Sequence, residues 1–243
     1  MNIGIIGAGN IGGTLARRLS QLGHKVTLSN ARGPESLQEL AAEINVKAAT
    51  VYEVIENNNN DIVIITIPQK NVMDLPKDLF EGLKDDLIVI DTCNYYPLMR
   101  DGIIDELDGD ITNAEWVQAK IKRPMVKTFN SIAFTSLADG GRPKGDKDRI
   151  ALPLSGDRAK DKEVVSELID QLGFDPFDLG ELKNSWKYEP GTPVYCMDFN
   201  LETLKNKLDE MGAVRTTEIR EKINKQRTAQ EKQILEYFAQ QKK

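Results

Sequence analysis

Apolar positions fall in short continuous runs separated by helical patterns. Residues 2–6 form such a run, and a helical pattern follows over about 10–22. A second strand is expected at 25–29 and a second helix over about 34–44. Asp61-Ile-Val-Ile-Ile-Thr-Ile67 is a continuous β-branched run, the pattern of a parallel strand buried on both faces; Pro68 ends it. Leu87-Ile-Val-Ile-Asp91 is another, and Met125-Val-Lys-Thr-Phe129 a shorter one. This alternation predicts an α/β, doubly wound, mostly parallel sheet. Ligands bind such sheets outside the carboxyl ends of the strands. That rule selects the loops 7–12, 29–33, 67–71 and 92–97, with 129–134 as a fifth.

The second half continues the pattern. Residues 139–148 are rich in Gly, Pro and charge and suggest either a lid or a plain connection. Arg149-Ile-Ala-Leu-Pro-Leu154 predicts a strand, 159–172 an amphipathic helix, and 174–179 an edge strand, where Pro176 is tolerated. Leu201, Leu204, Leu208 and Met211 recur at helical spacing. A last helix is expected over 217–241, with Ile219, Ile223, Ile234 and Phe238 on its apolar side. The expected organisation is a nucleotide-binding domain over 1–138, a small α/β region on the acceptor side over 139–198, and a helical extension over 199–243. The polar run Asn57–Asn60 is expected to be a loop.

The first strand runs into Gly7-Ala-Gly9-Asn10-Ile11-Gly12, a Gly-x-Gly-x-x-Gly at a strand-to-helix turn. Gly7 allows the tight turn, Gly9 lets backbone approach a pyrophosphate, and Gly12 lets the helix lie close to the sheet. The helix N-terminus offers free N–H groups and a positive dipole end to phosphate. This context predicts a dinucleotide site in a Rossmann-type fold. NAD enzymes place an acidic residue at the tip of the second strand. Here that tip reads Ser29-Asn30-Ala31-Arg32. Ser29, Asn30 and Arg32 can donate to a 2′-phosphate, and Arg offers a planar charged fork. The expected cofactor is therefore NADP(H). Glu35 is the alternative partner for Arg32.

Composition narrows the classes. A net charge of −6 over 243 residues argues against nucleic acid. No run approaches the roughly 18 apolar residues that signal a membrane span. Met1 leads directly into the first strand, so no leader is expected. Cys93 and Cys196 are the only cysteines and are expected as free thiols in a cytoplasmic protein. No His/Cys cluster suggests a metal. From 215 to 243 there are eight Lys/Arg against four Glu, which fits either an anionic substrate or a solvated face. The last helix is a candidate homodimer contact.

His24 is the only histidine, and it falls in the turn before the second strand, away from the ligand edge. A His-based acid/base or nucleophilic mechanism is therefore not expected. Hydride transfer between preformed redox rings needs mainly alignment and exclusion of water. A Lys127/Asn130 acid pair is conceivable, but Lys127 lies mid-strand.

Ile3 to Gly12, Ser29 to Pro34, Val126 to Ser131, Ala151 to Asp157 and Ser185 to Tyr195 together resemble the NADP oxidoreductases called coenzyme F(420)-dependent, which include the NADPH:deazaflavin reductases. The NADPH-binding part of the six-transmembrane metalloreductases is similar. The resemblance covers about residues 1–195. It implies that Asn10 and Ile11 cap the pyrophosphate and that Ser29, Asn30 and Arg32 hold the 2′-phosphate. It also implies that Ile67 and Pro68 line the cleft, with Asn94 and Asn130 near the nicotinamide. Hydride would then pass to a planar small-molecule acceptor, a deazaflavin (coenzyme F(420)) or a flavin, with no obligatory side-chain acid. An NADPH-dependent imine or carbonyl reductase, and a non-catalytic NADP(H)-binding sensor, are the alternatives. Trp186, Tyr188 and Tyr195 suit either stacking on a flavin-like ring or packing under the C-terminal helices.

Overall fold

The computed structural model describes residues 1–56 and 59–241. Eight strands form one sheet: β1 (Asn2–Ile6), β2 (Lys25–Ser29), β3 (Lys47–Ala48), β4 (Ile62–Ile65), β5 (Ile88–Asp91), β6 (Val126–Lys127), β7 (Ala151–Gly156) and β8 (Asp175–Asp178). Their order is β3-β2-β1-β4-β5-β6-β7-β8. All neighbours are parallel except β6 and β7. The fold is thus a Rossmann-type, doubly wound, mostly parallel α/β sheet. Chain order reverses between β1 and β4, and β1 pairs with both β2 and β4. A crevice at that switch point is where such sheets take ligands.

Successive side chains of a strand point to opposite faces, and here both faces are covered. Ile3, Ile5, Ile62, Ile64, Ile88 and Ile90 pack on one side with Leu15, Ala16 and Leu19 of α1 (Asn10–Gln21). Leu137 of α5 (Phe134–Asp139) and Val165, Leu168 and Ile169 of α6 (Ala159–Gln171) join them. Ile6, Val63, Ile65 and Val89 face the other side. There they meet Val54 and Ile55 of α3 (Val51–Glu56) and Ala114, Trp116 and Val117 of α4 (Asn113–Ile121).

Several boundaries differ from the sequence expectation. The helix expected over 34–44 is a 3₁₀ turn, Pro34–Leu37, followed by α2 (Gln38–Glu43). The strand expected over 125–129 is cut to two residues, because Phe129 turns to φ 58°. Pro153 lies in an interior strand, but beyond the two-residue pairing with β6, so no ladder bond is lost to it on that side. Of the run Asn57–Asn60, Asn57 and Asn58 lie outside the described residues; Asn60 is buried and donates to the Val54 carbonyl.

Two helices close the chain, α7 (Leu201–Glu210) and α8 (Thr217–Gln241). The expected apolar side of α8 packs only in its first half, where Ile223 is buried and Ile219 half-buried. Ile234 and Phe238 are exposed, while Ile223, Arg227 and Glu231, four residues apart in turn, are buried. Segment 140–149 is tied down: Arg142 N donates to the Gly173 carbonyl, and buried Arg149 bridges Asp170 and Asp175. None of its residues lines the cleft described next. No helix among the described residues is long and apolar enough to cross a membrane.

Candidate functional site

The turn between β1 and α1 can be built only from glycine at two of its three positions. Gly7 has φ 112°, and a Cβ there would stand 2.2 Å from the Thr66 carbonyl oxygen. A Cβ on Gly12 would stand 1.9 Å from the Gly7 oxygen. These two glycines seat α1 against β4. Gly9 differs, since a Cβ there would meet nothing within 4 Å. It caps α1 without a side-chain hydrogen bond, and the first turn carries no acidic residue. The free N–H groups and dipole end of α1 therefore face open space, the arrangement that holds phosphate elsewhere.

That space is a cleft of about 340 Å³, lined by Gly9, Asn10, Ile11, Thr66, Ile67, Pro68, Thr92, Asn94, Tyr96 and Arg100. Gly9, Asn10, Ile11, Ile67, Pro68 and Asn94 were expected from the sequence. Asn130 is not a lining residue, but its amide nitrogen reaches Asn94 Oδ1 at 3.3 Å and the Tyr188 carbonyl at 3.0 Å. Its own Oδ1 is buried with no hydrogen-bond partner. A lone buried acceptor costs about 1–3 kcal/mol.

The tip of β2 is split. Ser29 is fully buried, and its hydroxyl donates to the Ile5 carbonyl. Its proton is thus used inside the sheet. Asn30 Oδ1 accepts from Arg32 N and the Ser36 hydroxyl, which shapes the loop. The Arg32 side chain is exposed and, among the described residues, enters no salt bridge, with Glu35 or otherwise.

Thr66, Thr92, Tyr96 and Arg100 were not singled out from the sequence. Tyr96 falls in the loop 92–97 already selected by strand topology. Arg100 lies beyond it, on a single π turn (Pro97–Asp101) that no apolar period announces. The turn is pinned from two sides. Buried Asp101 accepts from Tyr96 N at 2.8 Å and Lys70 N at 3.3 Å. Glu231 of α8 accepts from Leu98 N and Met99 N, both at 2.9 Å. Arg100 donates to the Asn94 carbonyl and stacks its guanidinium 5.2 Å from the Tyr96 ring centre.

Behind the cleft, Tyr96 and Tyr195 share a short hydroxyl–hydroxyl hydrogen bond. Asn94 Nδ2 donates to the Tyr195 oxygen at 3.0 Å and to the Asn130 carbonyl at 2.8 Å. Burial raises the Tyr96 hydroxyl to a pKa of about 12, against the opposing pull of the Tyr195 hydrogen bond. Burial likewise pushes Tyr195 well above its ordinary value. Trp186 and Tyr188 are core residues, and the Tyr188 hydroxyl donates to the Lys127 carbonyl. Of the three aromatics, then, Tyr195 alone joins the cleft cluster.

The conceivable Lys127/Asn130 acid pair is not assembled. The Lys127 ammonium is fully buried on Asp91 and the Cys93 carbonyl. His24 contacts the N-terminal amine and Gln171 and is not a lining residue of the cleft. Among the described residues no His/Cys/Asp/Glu group is arranged to hold a metal.

Residues 2–95 match the family described as NADP oxidoreductase, coenzyme F420-dependent. Among curated proteins, YjhV of Escherichia coli (strain K12) is 36% identical over 69 residues, 28% of this chain and 50% of that protein. Metalloreductase STEAP3 of Rattus norvegicus is 26% identical over 191 residues, 77% of this chain and 35% of that protein. The chain thus spans half or less of the length of both. Among solved structures, the hypothetical protein SMa0349 from Sinorhizobium meliloti has a TM-score of 0.68 at 29% identity, over 82% of this chain and 95% of that one. A candidate F420-dependent NADP reductase from Arthrobacter sp. fb24 has a TM-score of 0.61 at 24% identity, over 77% and 87%; that likeness speaks to the fold alone.

Proposed function

We propose that this chain, whose residues 2–95 carry the NADP oxidoreductase, coenzyme F420-dependent family match, is an NADPH-dependent oxidoreductase acting on a planar acceptor such as a deazaflavin or flavin. The observation that carries the reading is Gly9. It is a glycine that the fold does not require, at the uncapped N-terminus of α1, facing a cleft. In this reading Gly9, Asn10 and Ile11 take the pyrophosphate, with Gly7 and Gly12 shaping the turn. Arg32, with the Asn30 loop, takes the 2′-phosphate, and Ser29 supports that loop from within the sheet. Ile67 and Pro68 form one apolar wall. Asn94 and Asn130 hold the nicotinamide amide.

Bound NADPH supplies the hydride. The chain's own residues align the rings and exclude water. A homodimer formed through α8 and a cytosolic setting belong to the same reading. Their support is the exposed Ile234, Leu235, Tyr237 and Phe238 and the two free thiols.

A second reading, an imine or carbonyl reductase, is favoured by the Tyr96 hydroxyl, because such substrates require a proton donor. The deciding measurement is NADPH consumption with the deazaflavin coenzyme, FMN, FAD and a panel of imines and carbonyls. Turnover with the deazaflavin or flavins supports the first reading, and turnover confined to imines or carbonyls the second. Tight NADPH binding with no turnover would leave a non-catalytic sensor.

A further inference from the structure

The Tyr96 hydroxyl lies in a cluster of hydrogen bonds with Tyr195, Asn94 and Asn130. Asn94 Nδ2 is a donor only, and it donates to the Tyr195 oxygen. Asn94 is itself held in that orientation, because its Oδ1 accepts from Asn130 and its Nδ2 also serves the Asn130 carbonyl. The Tyr195 hydroxyl also shares the short contact with the Tyr96 hydroxyl, in which either oxygen can be the donor. Tyr96 is at the same time a lining residue of the cleft. The Arg100 cation over that ring favours negative charge on it.

We propose that Tyr96 is the proton donor to the reduced acceptor, with Tyr195, Asn94 and Arg100 as its positioning residues. The inference rests on the NADPH-oxidoreductase reading and deepens it. Hydride from NADPH forms a new bond to the electrophilic atom of a C=N or conjugated acceptor. The displaced π pair moves to the acceptor nitrogen, which takes the proton as the Tyr96 O–H bond breaks. The phenolate keeps the Tyr195 hydrogen bond and the Arg100 charge, and water entering the cleft restores its proton. Groups facing Tyr96 from other elements are Tyr195, Cys196 and Glu231 of α8. A phenol is protonated at neutral pH with or without the upward push of burial, so Tyr96 holds the proton the step needs.

The test is Tyr96→Phe in the full chain, with NADPH binding followed by fluorescence and turnover by NADPH absorbance. The probes are FMN, the deazaflavin coenzyme and 2-methyl-1-pyrroline. NADPH affinity should stay within about 3-fold while turnover falls about 100-fold, the contribution of a positioned general acid. Wild-type turnover should show a solvent deuterium isotope effect that Tyr96→Phe loses. Tyr195→Phe, which removes the hydroxyl that Tyr96 bonds to, should give a smaller fall in turnover and leave the isotope effect in place. Full turnover by Tyr96→Phe, or loss of its NADPH binding, would overturn the assignment. A wild-type protein inert with every probe would instead overturn the reading beneath it.

Discussion

Lys127 Nζ lies 2.8 Å from Asp91 Oδ2, and neither side chain is exposed to solvent. The pair joins the carboxyl ends of β5 and β6. Asp91 Oδ1 also accepts from Cys93 N at 2.8 Å, and Lys127 donates to the Cys93 carbonyl. The ion pair therefore fixes the turn that delivers Asn94 to the cleft. Removing one partner strands the other charge in the sheet. Lys127→Met and Asp91→Asn should each lower stability by about 3–5 kcal/mol, read as a shifted urea midpoint. A loss under about 1 kcal/mol would mean water reaches the pair.

Arg32 is the only cation at the tip of β2, and its side chain is exposed. A charge-assisted hydrogen bond is worth about 1.5–3 kcal/mol, so Arg32→Ala should weaken NADPH about 10-fold to 100-fold. NADH, which lacks the 2′-phosphate, should barely respond. Equal losses for both, measured by fluorescence titration, would place the 2′-phosphate elsewhere.

Much of this arrangement could be read before any coordinates. The Gly7–Gly12 turn, the β-branched runs and the topological rule select five loops, of which 7–12, 67–71 and 92–97 line the cleft while 29–33 and 129–134 do not. Other features were hidden for physical reasons. Ser29 has the chemistry of a phosphate ligand, but strand register buries it. Tyr96 and Tyr195 meet across 99 residues, a separation no local period reports. The Arg100 turn is set by Asp101 and by Glu231 from the distant α8. Two helices were missed despite a legible signal: Thr50-x-x-Glu53 and Thr112-x-x-Glu115 both form reciprocal capping boxes.

Glu231 links α8 to the cleft. Its carboxylate satisfies the N–H groups of Leu98 and Met99 at the start of the turn carrying Arg100. Glu231→Ala should release that turn, raising KM for the acceptor several-fold and costing about 1–3 kcal/mol of stability. Glu231→Gln, which keeps an acceptor oxygen, should restore part of both. If Ala and Gln variants behave like wild type in KM, α8 has no part in shaping the site.

His24 gives a pH signature without a catalytic one. Burial lowers its pKa from 6.5, the Gln171 hydrogen bond opposes this, and the N-terminal amine adds to it. The unfolded chain therefore binds the proton more readily than the folded one. Stability should fall as pH drops below about 6.5 and the unfolded form gains protons first. His24→Ala should flatten that slope in denaturation curves taken across the range, and leave turnover intact. A large drop in turnover would put His24 in the chemistry.

Gly9 and Gly12 separate folding from binding within one motif. A Cβ on Gly12 would sit 1.9 Å from the Gly7 oxygen and 2.6 Å from Thr66 Cγ2. Both neighbours belong to packed backbone or core, so neither can give way cheaply. Gly12→Ala should therefore lower the melting temperature and abolish NADPH binding together. Gly9 has open space where its Cβ would go and φ −76°, a value any residue adopts. Gly9→Ala should leave the melting temperature of the unliganded protein within a degree or two, because nothing in the chain is displaced. A methyl group there would still stand where a pyrophosphate must approach the α1 N–H groups. NADPH affinity should then fall by at least about 10-fold, or roughly 1.4 kcal/mol. Retained binding in Gly9→Ala would show that the nucleotide does not lie on this helix end.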